Sequence, residues 1–334
     1  MVRRKHLSSG LAAERSGRCL PGAALLQNVP RSAPNMLKAT FIGFLAIPVW
    51  ALLPVLTVAA GPIPPLELLS LTFTVGALAG LVILALNPAS WQVLRGAGIV
   101  PVLFGTAGLF CYHFAYFLAL QNAPPLEASL INYLWPVLIV VFSAALPSQA
   151  GAGKLSGWHF AGVAAAFAGA ALAMSGGSTL SFSGNAFGYG MALSAALIWS
   201  SYSVASRLFR STPSAAVALY CTCTALLAWC AHIALERFVT PAPGLQTFAI
   251  VVLGIGPVGL AFYAWDYGCK HGDLRLLGVF AYFAPVLSTA LMTLTGFAPA
   301  KPALWFAALL ITAGAMAASG PALRRASQSS APNV

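Results

Sequence analysis

Charge is what this chain has least of. Only 6 of its 334 residues are acidic, and Asp, Glu, Lys and Arg together make up 7% of it. Soluble domains carry about 25% charged residues, so a soluble fold is excluded. Cysteine pairs are missing as well. Cys19, Cys111, Cys221, Cys223, Cys230 and Cys269 show no paired spacing, and Cys221 and Cys223 point to different sides of a helix. That leaves no disulfide framework and no metal site, and the six read as small apolar fillers. The 17 bases form no stripe with interleaved aromatics, which excludes nucleic acid as a partner,. No His/Asp pair at helical spacing and no catalytic motif is found, so neither an enzyme nor a cofactor is expected. Residues 1–35 are polar, basic and broken by Pro21, Pro30 and Pro34, and hold no apolar run fit for a signal peptide,.

What the chain has in excess is apolar length. Hydrophobic residues make up 59% of it and its mean hydropathy is +0.85, values of a polytopic membrane protein,. Ten candidate spans follow the tail, at roughly 37–60, 65–86, 97–120, 126–146, 157–175, 185–206, 214–235, 245–269, 274–296 and 302–320,. Their connections are too short for a soluble domain. With the N-terminus inside, fifteen of the seventeen bases fall on the inner side, leaving only Arg237 and Lys301 outside. The expectation is therefore that both termini are cytoplasmic. Met36, directly before the first run, is an alternative start, which would leave 1–35 as a dispensable cytoplasmic tail; 321–334 reads as a second tail.

The fourth run, from Pro124 to Leu146, carries polar residues that a lipid-facing span has no use for. Ser129, Asn132, Tyr133, Pro136 and Ser143 share an arc of roughly 100° on a helix, which suits a cavity wall. The alternative is glue between helices. The third and eighth runs are related. Gly105, Gly108, Leu109, Tyr112 and Tyr116 match Gly256, Gly259, Leu260, Tyr263 and Tyr267 at a constant offset. Tyr133 and Pro136 match Tyr282 and Pro285, Ala168–Ala170 matches Ala313–Ala315, and Trp50 aligns with Trp199. The repeat unit is thus five spans, 36–175 and 185–320. An odd number turns the second copy over in the membrane, the inverted arrangement of secondary transporters.

Candidate site residues come from these runs. Tyr112, Tyr133, Tyr263 and Tyr282 lie two turns or more inside their spans, too deep for interfacial anchors, and suit an aromatic cavity wall. Tyr116 and Tyr267 lie nearer span ends. His113 and Trp135 share that neighbourhood, and His113 can hydrogen-bond a carboxylate or sense protons. Trp199 and Tyr202 are weaker candidates. Pro48, Pro54, Pro101, Pro136, Pro257 and Pro285 are expected to interrupt helices. The matched pair Pro136/Pro285, with Tyr267, makes the candidate hinge. Asp266 is expected to pair locally with Lys270 or Arg275, while Glu67 and Glu127 read as solvated.

The segments LEASLINYLWPVLIVVFSAAL at 126–146, GLFCYHFAYFLALQNAPP at 108–125 and FYAWDYGCKHGDLRLLGVFAYFAPVLST at 262–289 resemble the drug/metabolite transporter superfamily. The resemblance is to its ten-span EamA-like branch, and there to the YddG-type aromatic amino-acid exporters, over about 36–320. It implies an all-α bundle of two inverted five-helix repeats around a central cavity in a bacterial inner membrane. It also implies export of amino acids and related metabolites by a monomer or weak dimer with no partner but the substrate and the bilayer. A proton-coupled drug/metabolite efflux carrier is the alternative. A phosphorylated-sugar carrier would need a deep base, and a small-multidrug-type antiporter a carboxylate in the first span; neither is present. A non-transporting scaffold or an intramembrane enzyme is the reading from another class.

Overall fold

In the computed structural model the described residues are 35–86, 90, 91, 94, 97–145, 157–175 and 184–329, and no strand occurs among them. The tail expected at 1–35 falls, Asn35 apart, outside the described residues. The helices are α1 (Met36–Phe44), α2 (Ala46–Ala51), α3 (Leu53–Ala59), α4 (Pro65–Leu86), α5 (Ile99–Asn122), α6 (Pro125–Asn132) and α7 (Trp135–Ala145). They continue as α8 (Gly157–Ser175), α9 (Ala186–Ala205), α10 (Val217–Leu235), α11 (Leu245–Ile255) and α12 (Ala261–His271). The last are α13 (Leu274–Ala281), α14 (Phe283–Leu294) and α15 (Pro302–Ser329). A five-residue π-turn, Gly256–Leu260, joins α11 to α12.

Among the described residues, seven segments are long and apolar enough to cross a membrane: Met36–Ala59, Pro65–Leu86, Ile99–Asn122, Pro125–Ser143, Ser214–Leu235, Leu245–His271 and Leu276–Leu294. Shorter apolar helices cover Phe160–Ala173 and Pro302–Ala317. Large apolar side chains such as Leu86, Ile233 and Leu294 stand exposed on the outside, where only lipid satisfies them,. The protein is an integral membrane protein. The helix α15 runs on to Ser329, through residues that composition alone assigned to a tail.

Prolines explain the breaks. A proline lacks the N–H and its ring clashes with the carbonyl four residues back, so a helix yields on the N-terminal side. Leu45 separates α1 from α2 ahead of Pro48, and Leu52 separates α2 from α3 ahead of Pro54. Tyr133 and Leu134 turn between α6 and α7 ahead of Pro136, and Tyr282 divides α13 from α14 ahead of Pro285. Pro257 sits inside the π-turn. Pro101 departs from the expectation. It occupies the first turn of α5, where its missing N–H would have had no helical partner, and that helix runs unbroken,.

Small residues bring the helices together. The pairs α1 with α12, α4 with α10, α5 with α9 and α8 with α15 make the main contacts. A Cβ placed on Gly43 would lie 2.9 Å from the Cα of Gly268, and one on Gly314 2.6 Å from the Ala166 nitrogen. Backbones this close leave room only for glycine, as in packed membrane helices.

Two acids expected in solvent are buried instead. Glu67 is fully covered, and its Oε2 accepts the Val239 N–H at 2.9 Å. His232 lies 4.0 Å from Glu67 and 3.0 Å from Glu236, whose carboxylate accepts the Leu66 and Glu67 N–H groups at the start of α4. Glu127 accepts the hydroxyl of Tyr189 from α9. The partners come from distant segments, while Glu67 Oε1 is buried without a hydrogen-bond partner among the described residues. Asp266 does pair locally: its Oδ2 is 2.8 Å from Lys270 Nζ, which also donates to the Thr212 carbonyl at 3.0 Å. The side chain of Arg275 lies outside the described residues.

Candidate functional site

The broken helices meet at one small chamber. Its walls are Trp50 and Leu53 from the first run, Tyr112, His113 and Tyr116 from α5, and Asn132, Tyr133 and Trp135 at the α6–α7 break. Trp199 of α9 and Phe262 of α12 complete it. The free volume is about 20 Å³, room for one water molecule,. Aromatic rings fill the rest. Trp50 stands edge-on to Trp199 at 5.2 Å and to Trp135 at 6.3 Å, and lies 6.0 Å from Phe262. Tyr112 stacks on Tyr116 at 6.0 Å and lies 5.0 Å from Trp199.

A few polar atoms punctuate these walls. Asn132 Nδ2 donates to Tyr112 Oη at 3.2 Å, while its Oδ1, buried, has no hydrogen-bond partner among the described residues. His113 Nδ1 lies 2.9 Å from the Leu109 carbonyl, which can only accept, so this nitrogen carries the proton,. Around it stand the rings of Phe73, Tyr112, Phe117 and Phe262, and no carboxylate pairs with it among the described residues. Tyr116 Oη is 3.4 Å from Ser129 Oγ, which itself donates to the Pro125 carbonyl at 2.7 Å. The chamber thus has flat apolar walls, one open amide acceptor and few formal charges.

Seven of the ten candidate wall residues come together here: Tyr112, His113, Tyr116, Asn132, Tyr133, Trp135 and Trp199. Three lie elsewhere. Tyr202 stacks on Phe104 at 5.3 Å and packs on Gly108, one layer outside Trp199. Tyr263 turns away to rest on Gly80 of α4. Tyr282 is buried at the α13–α14 break, where its carbonyl accepts from Thr312 Oγ1 at 2.9 Å. Of the hinge candidates, Pro136 and Pro285 follow breaks; Tyr267 is within continuous α12, its ring 5.0 Å from His271.

Sequence reasoning left out Trp50, Leu53 and Phe262. The alignment of Trp50 with Trp199 was the available signal for the first. At the offset of 149 that Trp50/Trp199, Tyr133/Tyr282 and Pro136/Pro285 share, Phe262 falls on His113, which was the available signal for it. The thirteen-residue match, at an offset of 151, pointed to Tyr263 instead.

A second, wider cavity of about 750 Å³ opens at the end of the bundle marked by the turn between α3 and α4. Thr57, Pro64, Leu68, Gln121, Glu236 and Arg237 are among its walls. At the opposite end of the first run, α1 and α12 are closed on each other at Gly43 and Gly268.

An aromatic chamber inside a bundle of interrupted apolar helices, with a wider mouth toward one end, has the layout of a membrane solute carrier. The chain belongs to the EamA-like transporter family, whose profile matches it twice, at residues 37–175 and 186–320. It is a transporter and not an enzyme. A relative from Ancylobacter novellus, the aromatic amino acid exporter YddG of that organism, is 47% identical over 286 residues, covering 84% of this chain and 97% of its own. The aromatic amino acid exporter YddG of Escherichia coli strain K12 is 26% identical over 301 residues, covering 84% of this chain and 96% of its own. One solved crystal structure, 45% identical, superposes with a TM-score of 0.71 over 87% of this chain and 99% of the other.

Proposed function

We propose that this protein exports aromatic and other large apolar amino acids across a bacterial inner membrane by alternating access. The observation that carries the substrate class is the chamber itself. Its walls are rings, which suit an aromatic or large aliphatic side chain, and the free Oδ1 of Asn132 is placed to accept from an ammonium,. The names of the Ancylobacter and Escherichia relatives point the same way.

Ten spans in two inverted halves, with both termini cytoplasmic, complete the reading. The double match of the family profile supports the duplication. The packing supports it too: the first span of each half lies against the third span of the other, as α1 does on α12 and α9 on α5. Gln121 Nε2 donates to the Ile63 carbonyl and Lys270 Nζ to the Thr212 carbonyl, each from the end of a third span to the turn after a first span. With that orientation the 750 Å³ cavity faces outward and the Gly43–Gly268 crossing closes the inner side.

Transport is facilitated, with no obligatory ion. Proton coupling calls for an ionisable group inside the membrane that is free to exchange with each side. Asp266 is held by Lys270, and His113 is enclosed by rings. Counterflow into proteoliposomes with radiolabelled phenylalanine, leucine and glutamate tests the reading. Phenylalanine and leucine should exchange and glutamate should not, at rates independent of an imposed pH gradient. Asn132→Ala should raise the half-saturating phenylalanine concentration about tenfold, the loss of one hydrogen bond to a charged group. Exchange of glutamate alone, or uphill accumulation driven by the pH gradient, would refute it.

A further inference from the structure

Phenylalanine does not fit the chamber as it stands. An apolar cavity that admits a benzene ring measures about 150 Å³, against about 20 Å³ here. Admission must therefore push wall rings apart, and Trp50 stands among rings of three other helices. It lies 5.2 Å from Trp199 and 5.1 Å from Trp265, and within 6.3 Å of Phe262 and Trp135. It also rides on α2, a six-residue helix with a break at either end.

The one polar atom of this indole is committed. Trp50 Nε1 donates at 2.9 Å to the carbonyl of Pro257, inside the π-turn of the eighth run. A buried indole N–H deprived of its partner is costly, so displacing the ring either breaks this bond or drags the turn with it. The turn is irregular. Gly256, Pro257 and Gly259 interrupt the regular ladder, and a Cβ on Gly259 would meet the Gly254 carbonyl at 2.6 Å. π-turns are tolerated where a helix changes course. Below the turn, α12 carries the Gly43–Gly268 crossing and the Asp266–Lys270 pair.

We infer that Trp50 couples chamber occupancy to the π-turn: an entering side chain displaces the indole, the bond to Pro257 yields, and α12 is released to swing about Gly256–Leu260. Trp50 is then both a wall of the chamber and the residue that positions the π-turn, and this rests on the export reading above.

Trp50→Phe keeps a ring but loses the donor. Trp50→Phe should slow phenylalanine exchange in proteoliposomes by a factor at least tenfold larger than the factor by which it weakens phenylalanine binding in a scintillation proximity assay. Spin labels at positions 248 and 271, on a background with the native cysteines replaced, report the angle between α11 and α12 directly. Phenylalanine should shift that distance distribution in wild type, and Trp50→Phe should already broaden it without substrate. Wild-type turnover in Trp50→Phe with an unchanged distribution would overturn the inference. So would binding and turnover that fall in proportion. If wild type itself neither binds nor exchanges phenylalanine, the export reading falls, and the substrate-free distance measurement still decides whether Trp50 holds the turn.

Discussion

The third and eighth runs share five residues in a thirteen-residue motif, yet they do different work. The helix α5 is continuous, so Tyr112 and Tyr116 lie one turn apart on one face and both reach the chamber. The eighth run is interrupted by the π-turn, and its matching tyrosines, Tyr263 and Tyr267, face elsewhere, leaving Phe262 at the wall. A second contrast lies four residues along. Where α5 has the buried pair Ala115 and Ala119, α12 has Asp266 and Lys270 at the same offset, joined as a buried ion pair. The two related strings thus differ by one π-turn and two charged residues, and only the first keeps both of its tyrosines at the wall.

The largest effect should come from unbalancing the ion pair. Lys270→Met leaves Asp266 buried without its cation and removes the bond to the Thr212 carbonyl, a loss of about 3–5 kcal/mol,. Thermal denaturation in detergent should show a marked fall in midpoint. Replacing both by alanine, the α5 pattern, should recover much of it. A double variant no more stable than Lys270→Met would show that the pair is more than a self-compensating exchange for two alanines.

A smaller effect separates the two faces of α12. Phe262→Ala removes a wall of the chamber and should cut phenylalanine counterflow about tenfold. Tyr263→Ala vacates space against Gly80, outside the chamber, and should cost less than threefold once stability is matched. Equal losses would mean that Phe262 is no more a wall for the solute than Tyr263.

The same contrast explains what the sequence made legible. The long apolar runs gave the bounds of the seven membrane-length segments among the described residues to within a few residues, because a membrane-crossing helix must be apolar over most of its length,. The prolines announced the breaks, which fall two or three residues ahead of Pro48, Pro54, Pro136 and Pro285 because the ring clashes backward,. Side chains on unbroken α5 and on the first half of the fourth run were readable from helical spacing. Phe262 was missed because the thirteen-residue match set Tyr263 opposite Tyr112, whereas the register of Trp50/Trp199 and Pro136/Pro285 sets Phe262 opposite His113. Glu67 and Glu127 were misplaced for a different reason. Their partners, the Val239 amide and the Tyr189 hydroxyl, are 172 and 62 residues away. Proximity of that kind is created by the fold and has no local signature.

The account's central claim, that the solute sits among the rings of the closed chamber, is tested most directly by photolabelling. A phenylalanine analogue bearing a diazirine on its side chain is allowed to exchange into proteoliposomes, irradiated, and the adducts are mapped by mass spectrometry. The account predicts adducts on Tyr112, Trp199 and Phe262, suppressed by excess phenylalanine. Adducts confined to Tyr263 or to the walls of the outer cavity, and competed by the same excess, would contradict it.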